Sequence, residues 1–245
     1  MHIERERKSE MSDGDIMKGP LAGRPRWYRD ALYSTLVHLK PKVCLEIGTY
    51  IGQSSHIFQQ YFDKYMPDGV LVTCDVQNYV DLSSSLYQLP NVRQVRVFPH
   101  IYDIENHHDI HKGATLPFTK EDIEHSAEKN IEIIKEAISD IEGEALYDFC
   151  FLDGDHNGVS FMRDLQICAA VLKEPQYMLI DDTEDWVHAC AEHYHMKMKP
   201  DNKYDFYDFA DWHTITGCSL VWNKSADSPP YLIAPSIEIK LTELT

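Results

Sequence analysis

Several features of common protein classes are missing from this sequence of 245 residues. Its six cysteines are scattered and none forms a C-x-x-C pair, so buried thiols in a reducing compartment are favoured over a disulfide framework or a zinc site. No apolar run reaches 18 residues, and the first residues are charged where a signal peptide would be apolar. We therefore expect no membrane partner and a cytoplasmic location.

Basic residues are also scarce. The chain carries 23 Lys and Arg against 40 Asp and Glu, which gives a formal net charge of −17. A nucleic-acid partner or an anionic membrane surface would need clustered positive charge, so both are disfavoured. The same acidic excess is common among soluble enzymes for solubility alone.

Apolar runs alternate with segments of helical periodicity along most of the chain. Strands are predicted at 43–47, 70–74, 92–97, 147–152 and 176–180, and helices at 25–40, 53–65, 81–88, 119–141, 158–173 and 184–197. Two later β-rich stretches, 204–209 and 216–222, suit an antiparallel edge. This order predicts an α/β fold: a Rossmann-like, doubly wound, mostly parallel sheet with helices on both faces. Residues 1–24 are predicted to be a flexible arm, and 25–245 a single domain.

The first strand-to-helix connection is the most informative segment. It runs from Glu46 through Gly48 and Gly52, and the two glycines would let a ligand lie against bare backbone. A dinucleotide fingerprint would need glycine at Tyr50 and at Gln53, and the turn offers no Lys or Arg to a phosphate. Asp75, at the end of the next strand, is placed to accept hydrogen bonds from a ribose. A nucleoside without phosphates, such as S-adenosylmethionine, fits best, whereas the competing interpretation is a plain tight turn beside a solvated acid.

Acidic residues also end two later strands. Asp153 follows one strand, and Asp181 and Asp182 follow the next, so the three should be neighbours. Ionised carboxylates that share a site need a cation between them, and all-oxygen ligands favour Mg²⁺. The alternative is that these acids cap the helices that follow them.

Histidines provide candidates for proton transfer. His156 follows Asp153 closely and is a natural general base near neutral pH, although a structural role is equally compatible with its position. The histidines of segment 99–118 have no recognised metal-ligand spacing, which favours a solvated or substrate-covering loop. Aromatic residues near the C-terminus suit either an acceptor pocket or core packing.

Three motifs carry a resemblance to a known family. They are Glu46-Ile-Gly-Thr-Tyr-Ile-Gly-Gln-Ser54, Phe151-Leu-Asp-Gly-Asp-His156 and Leu179-Ile-Asp-Asp182. Over about residues 30–195 the chain resembles class I S-adenosylmethionine-dependent methyltransferases. Within that class it is similar to the metal-dependent small-molecule O-methyltransferases, including catechol, caffeoyl-coenzyme A and macrocin types, and its D-G-D-H sequence is typical of the natural-product branch.

The resemblance implies a set of roles. The cofactor S-adenosylmethionine would contact Glu46, Gly48, Thr49, Tyr50, Gly52, Ser54, Asp75 and Asp153. Mg²⁺ would bind Asp153, Asp181 and Asp182. Catechol-type members have a lysine base where this chain has His156, so the base is either His156 or Asp155.

The resemblance also implies a partner, and it leaves rival functions open. The methyl acceptor would be a hydroxyl of a small molecule, such as a sugar or a catechol-like diol. A metal-dependent oxidoreductase or hydroxylase on the same fold remains an alternative, as does a non-catalytic S-adenosylmethionine-binding protein. A homo-oligomer is compatible with the sequence.

Overall fold

The computed structural model describes residues 26–50, 52–76, 89–97, 125–143, 145–154, 158–181, 183, 203–208 and 217–224. Within these ranges the chain forms four helices and seven strands, in the order α1 (Arg26–Leu39), β1 (Val43–Ile47), α2 (Gln53–Tyr65), β2 (Val70–Asp75), β3 (Val92–Arg96), α3 (Ser126–Glu136), β4 (Tyr147–Leu152), α4 (Gly158–Val171), β5 (Leu172–Asp181), β6 (Tyr204–Asp208) and β7 (Cys218–Asn223).

The strands form one mixed sheet in the order β3-β2-β1-β4-β5-β7-β6. The first five strands in this order are parallel to one another, whereas β7 runs antiparallel to both β5 and β6. The predicted sheet and its antiparallel C-terminal edge are confirmed. Because β1 is followed by β2 on one side and paired with β4 on the other, the strand order reverses at the carboxyl end of β1. Ligands bind at such reversal points in open α/β sheets.

Apolar side chains cover both faces of the sheet. Successive strand residues point to opposite faces of the sheet, so alternating residues of each strand pack in two separate cores. One core, on the α3 and α4 side, includes Leu45, Val72, Leu152, Phe161 and Ile180. The other, on the α1 and α2 side, includes Leu32, Phe58, Phe62, Phe151 and Leu179.

The boundary between α4 and β5 differs from the prediction. The helix ends at Val171 and the strand begins at Leu172, so the helix is shorter and the strand longer than expected. Leu172 pairs with Tyr147 of β4, and the register of the two strands shifts between Tyr147 and Phe149. Pairing with the neighbouring strand therefore overrides the helical pattern of the sequence at this point.

Helix α3 ends earlier than its isoleucine spacing predicts. It ends at Glu136, and the next residues form turns in which Ile138 is still fully buried. The guanidinium of Arg93 donates a hydrogen bond of 2.8 Å to the carbonyl oxygen of Ala137. The isoleucine spacing continues beyond the helix because Ile138, in the turns, packs in the same core as Ile134 of the helix.

Several predictions lie outside the described residues. These are the N-terminal arm, the helices at 81–88 and 184–197, and the start of α3 at Thr119. The cysteines at 44, 74, 150, 168 and 218 are free and buried, as predicted. None of the helices in the described ranges is long and apolar enough to cross a membrane.

Candidate cofactor and metal site

The turn between β1 and α2 is held by a series of short backbone contacts. Gly48 has φ +99° and its N–H donates to the carbonyl oxygen of Cys74, 2.9 Å away. Gly52 has φ +77° and its N–H donates to the carbonyl oxygen of Thr49, 2.8 Å away. Both glycines have a positive φ that other residues rarely adopt, which explains why glycine occurs at these two positions.

The absence of a side chain at Gly48 is required by the protein's own backbone. A Cβ atom placed on this residue would lie 1.8 Å from the carbonyl oxygen of Asp153. The Asp153 N–H donates to the carbonyl oxygen of Ile47, 2.9 Å away, which extends the β1–β4 ladder beyond the strand end. The missing side chain therefore makes room for the protein's own backbone, and this glycine joins the turn to the end of β4.

Glu46 is a fully buried acid on the face covered by α2. Its Oε2 accepts a 2.5 Å hydrogen bond from the Ser55 hydroxyl. Its other oxygen, Oε1, is buried and has no hydrogen-bond partner among the described residues. Burial raises the pKa of Glu46 to about 7, against the opposing effect of the neighbouring Ser54, Ser55 and Thr73 hydroxyls. This acid therefore lies in the interior beneath the turn, and its raised pKa lies near neutral pH.

Two other residues of the motif turn their side chains into the protein. The hydroxyl of Thr49 is buried and lies 2.7 Å from the hydroxyl of Thr73 on β2. Ser54 is likewise buried, near Glu46. Thr49 and Ser54 can therefore shape the turn, and contact with a bound molecule at Thr49 would be left to its backbone groups.

Asp75 and Tyr50 form the outer wall of the turn. Asp75 is half-buried at the end of β2, and its Oδ2 accepts a 2.9 Å hydrogen bond from the Tyr50 N–H. The Tyr50 side chain is 56% exposed and its backbone has φ +43°. A carboxylate at this edge could accept hydrogen bonds from the hydroxyl groups of a ribose. Its bond to the Tyr50 N–H also ties the turn to the end of β2.

Asp153 and Asp181 leave adjacent parallel strands at the same edge of the sheet. Leu152 pairs with Ile180, so the next residue of each strand is one of the two acids. Asp181 is only 3% exposed and is paired with Cys218 of β7. The strand register thus places the two acids at neighbouring positions, one just after the end of β4 and one at the end of β5.

The predicted metal site lies only partly within the described residues. Asp182, the third predicted ligand, lies outside the described residues, as do the candidate bases Asp155 and His156 and the segment 99–118. Among the residues described, no three His, Cys, Asp or Glu side chains form a group that could hold a metal ion. The aromatic residues of β6 pack against the two cores, so core packing accounts for them.

A third buried acid, beside the loop that follows β4, was missed by sequence analysis. Asp164 lies on α4 and is 7% exposed. After the desolvation of the thiol itself, its charge is the largest cause that raises the pKa of Cys74. The signal was available, because Asp164 occupies a position in the apolar stripe formed by Phe161, Cys168 and Val171.

The sequence matches none of the family models and none of the curated proteins with which it was compared. Solved structures do match. TomG, an O-methyltransferase of Streptomyces achromogenes in complex with S-adenosylmethionine, is 15% identical with a TM-score of 0.55, and the match covers 91% of this chain and 99% of that one. An O-methyltransferase of Bacillus cereus in complex with S-adenosylhomocysteine is 13% identical with a TM-score of 0.51, over 91% and 88%.

A third structure, from Staphylococcus aureus and assigned as a caffeoyl-CoA O-methyltransferase, is 15% identical with a TM-score of 0.54, over 91% of this chain and 97% of that one. At this level of identity the likeness concerns the fold. The chain therefore has the Rossmann-like fold of these O-methyltransferases.

Proposed function

We propose that this protein transfers a methyl group from S-adenosylmethionine to a hydroxyl of a small molecule, with Mg²⁺ as its metal ion. The observation that carries the proposal is the β1–α2 turn. It lies at the point of strand reversal, exposes Tyr50 and is hydrogen-bonded to Asp75. Proteins of the same fold have been solved with S-adenosylmethionine or S-adenosylhomocysteine bound.

The donor would be held mainly by the turn. Asp75 would accept hydrogen bonds from the ribose hydroxyls, and Gly48 and Gly52 would present backbone groups to the methionine portion. Glu46 lies beneath the turn with one oxygen unpartnered among the described residues. The turn contains no Lys or Arg, which agrees with a ligand that has no phosphate and carries a positive sulfonium.

The acceptor would lie beside the acids of β4 and β5. Asp153, Asp181 and Asp182 would hold Mg²⁺, which when bound lowers the pKa of an acceptor hydroxyl. His156 or Asp155 would remove the proton from that hydroxyl. The hydroxyl oxygen then forms a bond to the methyl carbon while the carbon–sulfur bond breaks, and its electron pair stays on sulfur to give the neutral thioether. Holding the two reactants in line would supply most of the acceleration.

Binding can be tested before any acceptor is known. Calorimetry with S-adenosylhomocysteine is expected to show binding to the wild type, and binding at least ten-fold weaker to Asp75→Ala. Glu132→Ala is the matched control, since Glu132 is an exposed acid on α3, and it should bind as the wild type does. Absence of binding to the wild type would sink the proposal.

Transfer is tested with methyl-labelled S-adenosylmethionine and a panel of polyhydroxylated acceptors in the presence of Mg²⁺. Label in the acceptor supports the proposal. Binding without conversion to S-adenosylhomocysteine, even in a single turnover, would favour the non-catalytic alternative. Oxygen consumption with iron in place of magnesium would favour an oxidoreductase.

A further inference from the structure

Gly154, in the loop after β4, is enclosed by two side chains. A Cβ atom placed on it would lie 2.8 Å from Oδ2 of Asp164 and 3.4 Å from Cγ2 of Ile47. The first distance is shorter than real Cβ contacts allow, and the second is tight. Asp164 thus occupies the space that a side chain at position 154 would fill, and its carboxylate packs against the backbone of the loop.

Asp164 reaches this position from the interior of the protein. It is 7% exposed, and its charge raises the pKa of Cys74 on β2 and of Cys150 on β4. Burying a carboxylate costs free energy that an apolar side chain in the same helical stripe would avoid. A position that served only core packing would favour an apolar residue. The contact of Asp164 with the Gly154 backbone is therefore a better explanation for an acid at this position.

The backbone that Asp164 contacts lies directly against the β1–α2 turn. The Cβ position of Gly48 is 3.0 Å from the Cα of Gly154 and 1.8 Å from the carbonyl oxygen of Asp153. The Asp153 N–H is bonded to the carbonyl oxygen of Ile47. A continuous series of contacts therefore runs from α4 through the β4 loop to the β1–α2 turn.

We propose that Asp164 is a positioning residue, which holds the Asp153–Gly154 backbone against the β1–α2 turn and so fixes Asp153 relative to the bound methyl donor. The catalytic consequence rests on the proposed function. The contact itself does not, because it is defined by residues within the protein.

The first test separates positioning from general stability. Asp164→Ala is expected to lower kcat at least ten-fold while KM for S-adenosylmethionine stays within about two-fold. Asp164→Asn, which keeps the shape and one acceptor oxygen, should retain at least a third of kcat. The matched control is Ile167→Ala, a buried change on the same helix that should lower the melting temperature and leave kcat unchanged. A wild-type kcat in Asp164→Ala, or an equal loss in the control, would overturn the inference.

The second test needs no turnover. Gly154→Ala should lower the melting temperature and weaken S-adenosylhomocysteine binding at least ten-fold, because its methyl group collides with Asp164. In the Asp164→Ala background the same methyl enters vacated space, and the loss should shrink to less than three-fold. Equal effects of Gly154→Ala on melting temperature in both backgrounds would overturn the inference alone. A wild type that binds S-adenosylhomocysteine but transfers no methyl group would instead count against the proposed function.

Discussion

Ser55 donates its hydroxyl hydrogen to Glu46 across 2.5 Å, and neither side chain is exposed to solvent. The bond links the first turn of α2 to β1 directly beneath the β1–α2 turn. It also leaves a carboxyl group in the interior whose protonation responds to pH, which gives the first of four predictions.

Stability should fall as pH rises because of Glu46. Its pKa is raised from 4.5 to about 7, so between these values the unfolded chain loses a proton that the folded chain keeps. The folded state is thus penalised increasingly from pH 4.5 to pH 7, by about 3 kcal/mol in total, and the penalty is constant above that range. Glu46→Gln cannot ionise and should lose less unfolding free energy than the wild type between pH 5 and pH 8 in urea titrations. Glu132→Gln, at an exposed site, should follow the wild type, and parallel curves for Glu46→Gln and the wild type would contradict the assignment.

Gly48→Ala should disrupt the turn severely. Its Cβ would meet the Asp153 carbonyl oxygen at 1.8 Å, and its φ of +99° is unfavourable for alanine. We expect a loss of at least about 3 kcal/mol in unfolding free energy, together with loss of S-adenosylhomocysteine binding. Gly143→Ala separates the two causes, because that residue has φ +78° and no atom within 4 Å of its Cβ position. It should lose only about 1 kcal/mol, and similar losses in the two variants would show that the Asp153 contact contributes nothing.

The pair of buried threonines should show strong coupling. Thr49→Val keeps the side-chain shape but removes one partner of the 2.7 Å bond, which leaves the buried Thr73 hydroxyl with Glu46 as its polar neighbour and an apolar group where Thr49 stood. We expect a cost of about 1–3 kcal/mol for either single change, and a cost below their sum for the double change Thr49→Val with Thr73→Val, because the bond between the two hydroxyls can be lost only once. Denaturant unfolding of the four proteins measures this, and additive losses would argue against the bond.

Removal of divalent metal should separate binding from transfer. With EDTA, methyl transfer is expected to stop and S-adenosylhomocysteine affinity to stay within about three-fold, because the acids proposed for the metal lie after β4 and β5 and the turn follows β1. Asp181→Asn should reproduce this pattern at saturating Mg²⁺. Transfer that continues in EDTA would show that the acids of β4 and β5 serve another purpose.

The sequence predicted the sheet well because its strands are apolar runs bounded by turn residues. Strand β1 and helix α2 begin and end where the pattern places them. Glu46 and Asp75 could be placed at strand ends for the same reason. The start of β5 at Leu172 could not be predicted, since it depends on pairing with Tyr147, a partner that is distant in sequence.

The site was less predictable than the sheet, because side-chain environment depends on contacts between distant segments. The spacing of Gly48 and Gly52 correctly indicated a special backbone, but only the fold shows that the Asp153 carbonyl fills the space beside Gly48. The burial of Asp164 could have been predicted from its place in the apolar stripe of α4, but its contact with the Gly154 backbone could not. The roles of Asp182, Asp155 and His156 stay predictions.

The contact between Gly48 and the Asp153 carbonyl has a practical consequence for redesign. The loop after β4, which contains Asp153, packs directly against the β1–α2 turn. Neither segment can therefore be lengthened or shifted without disturbing the other. Attempts to change acceptor preference should therefore leave residues 46–54 and 152–154 untouched and draw their variation from segments that do not form this junction.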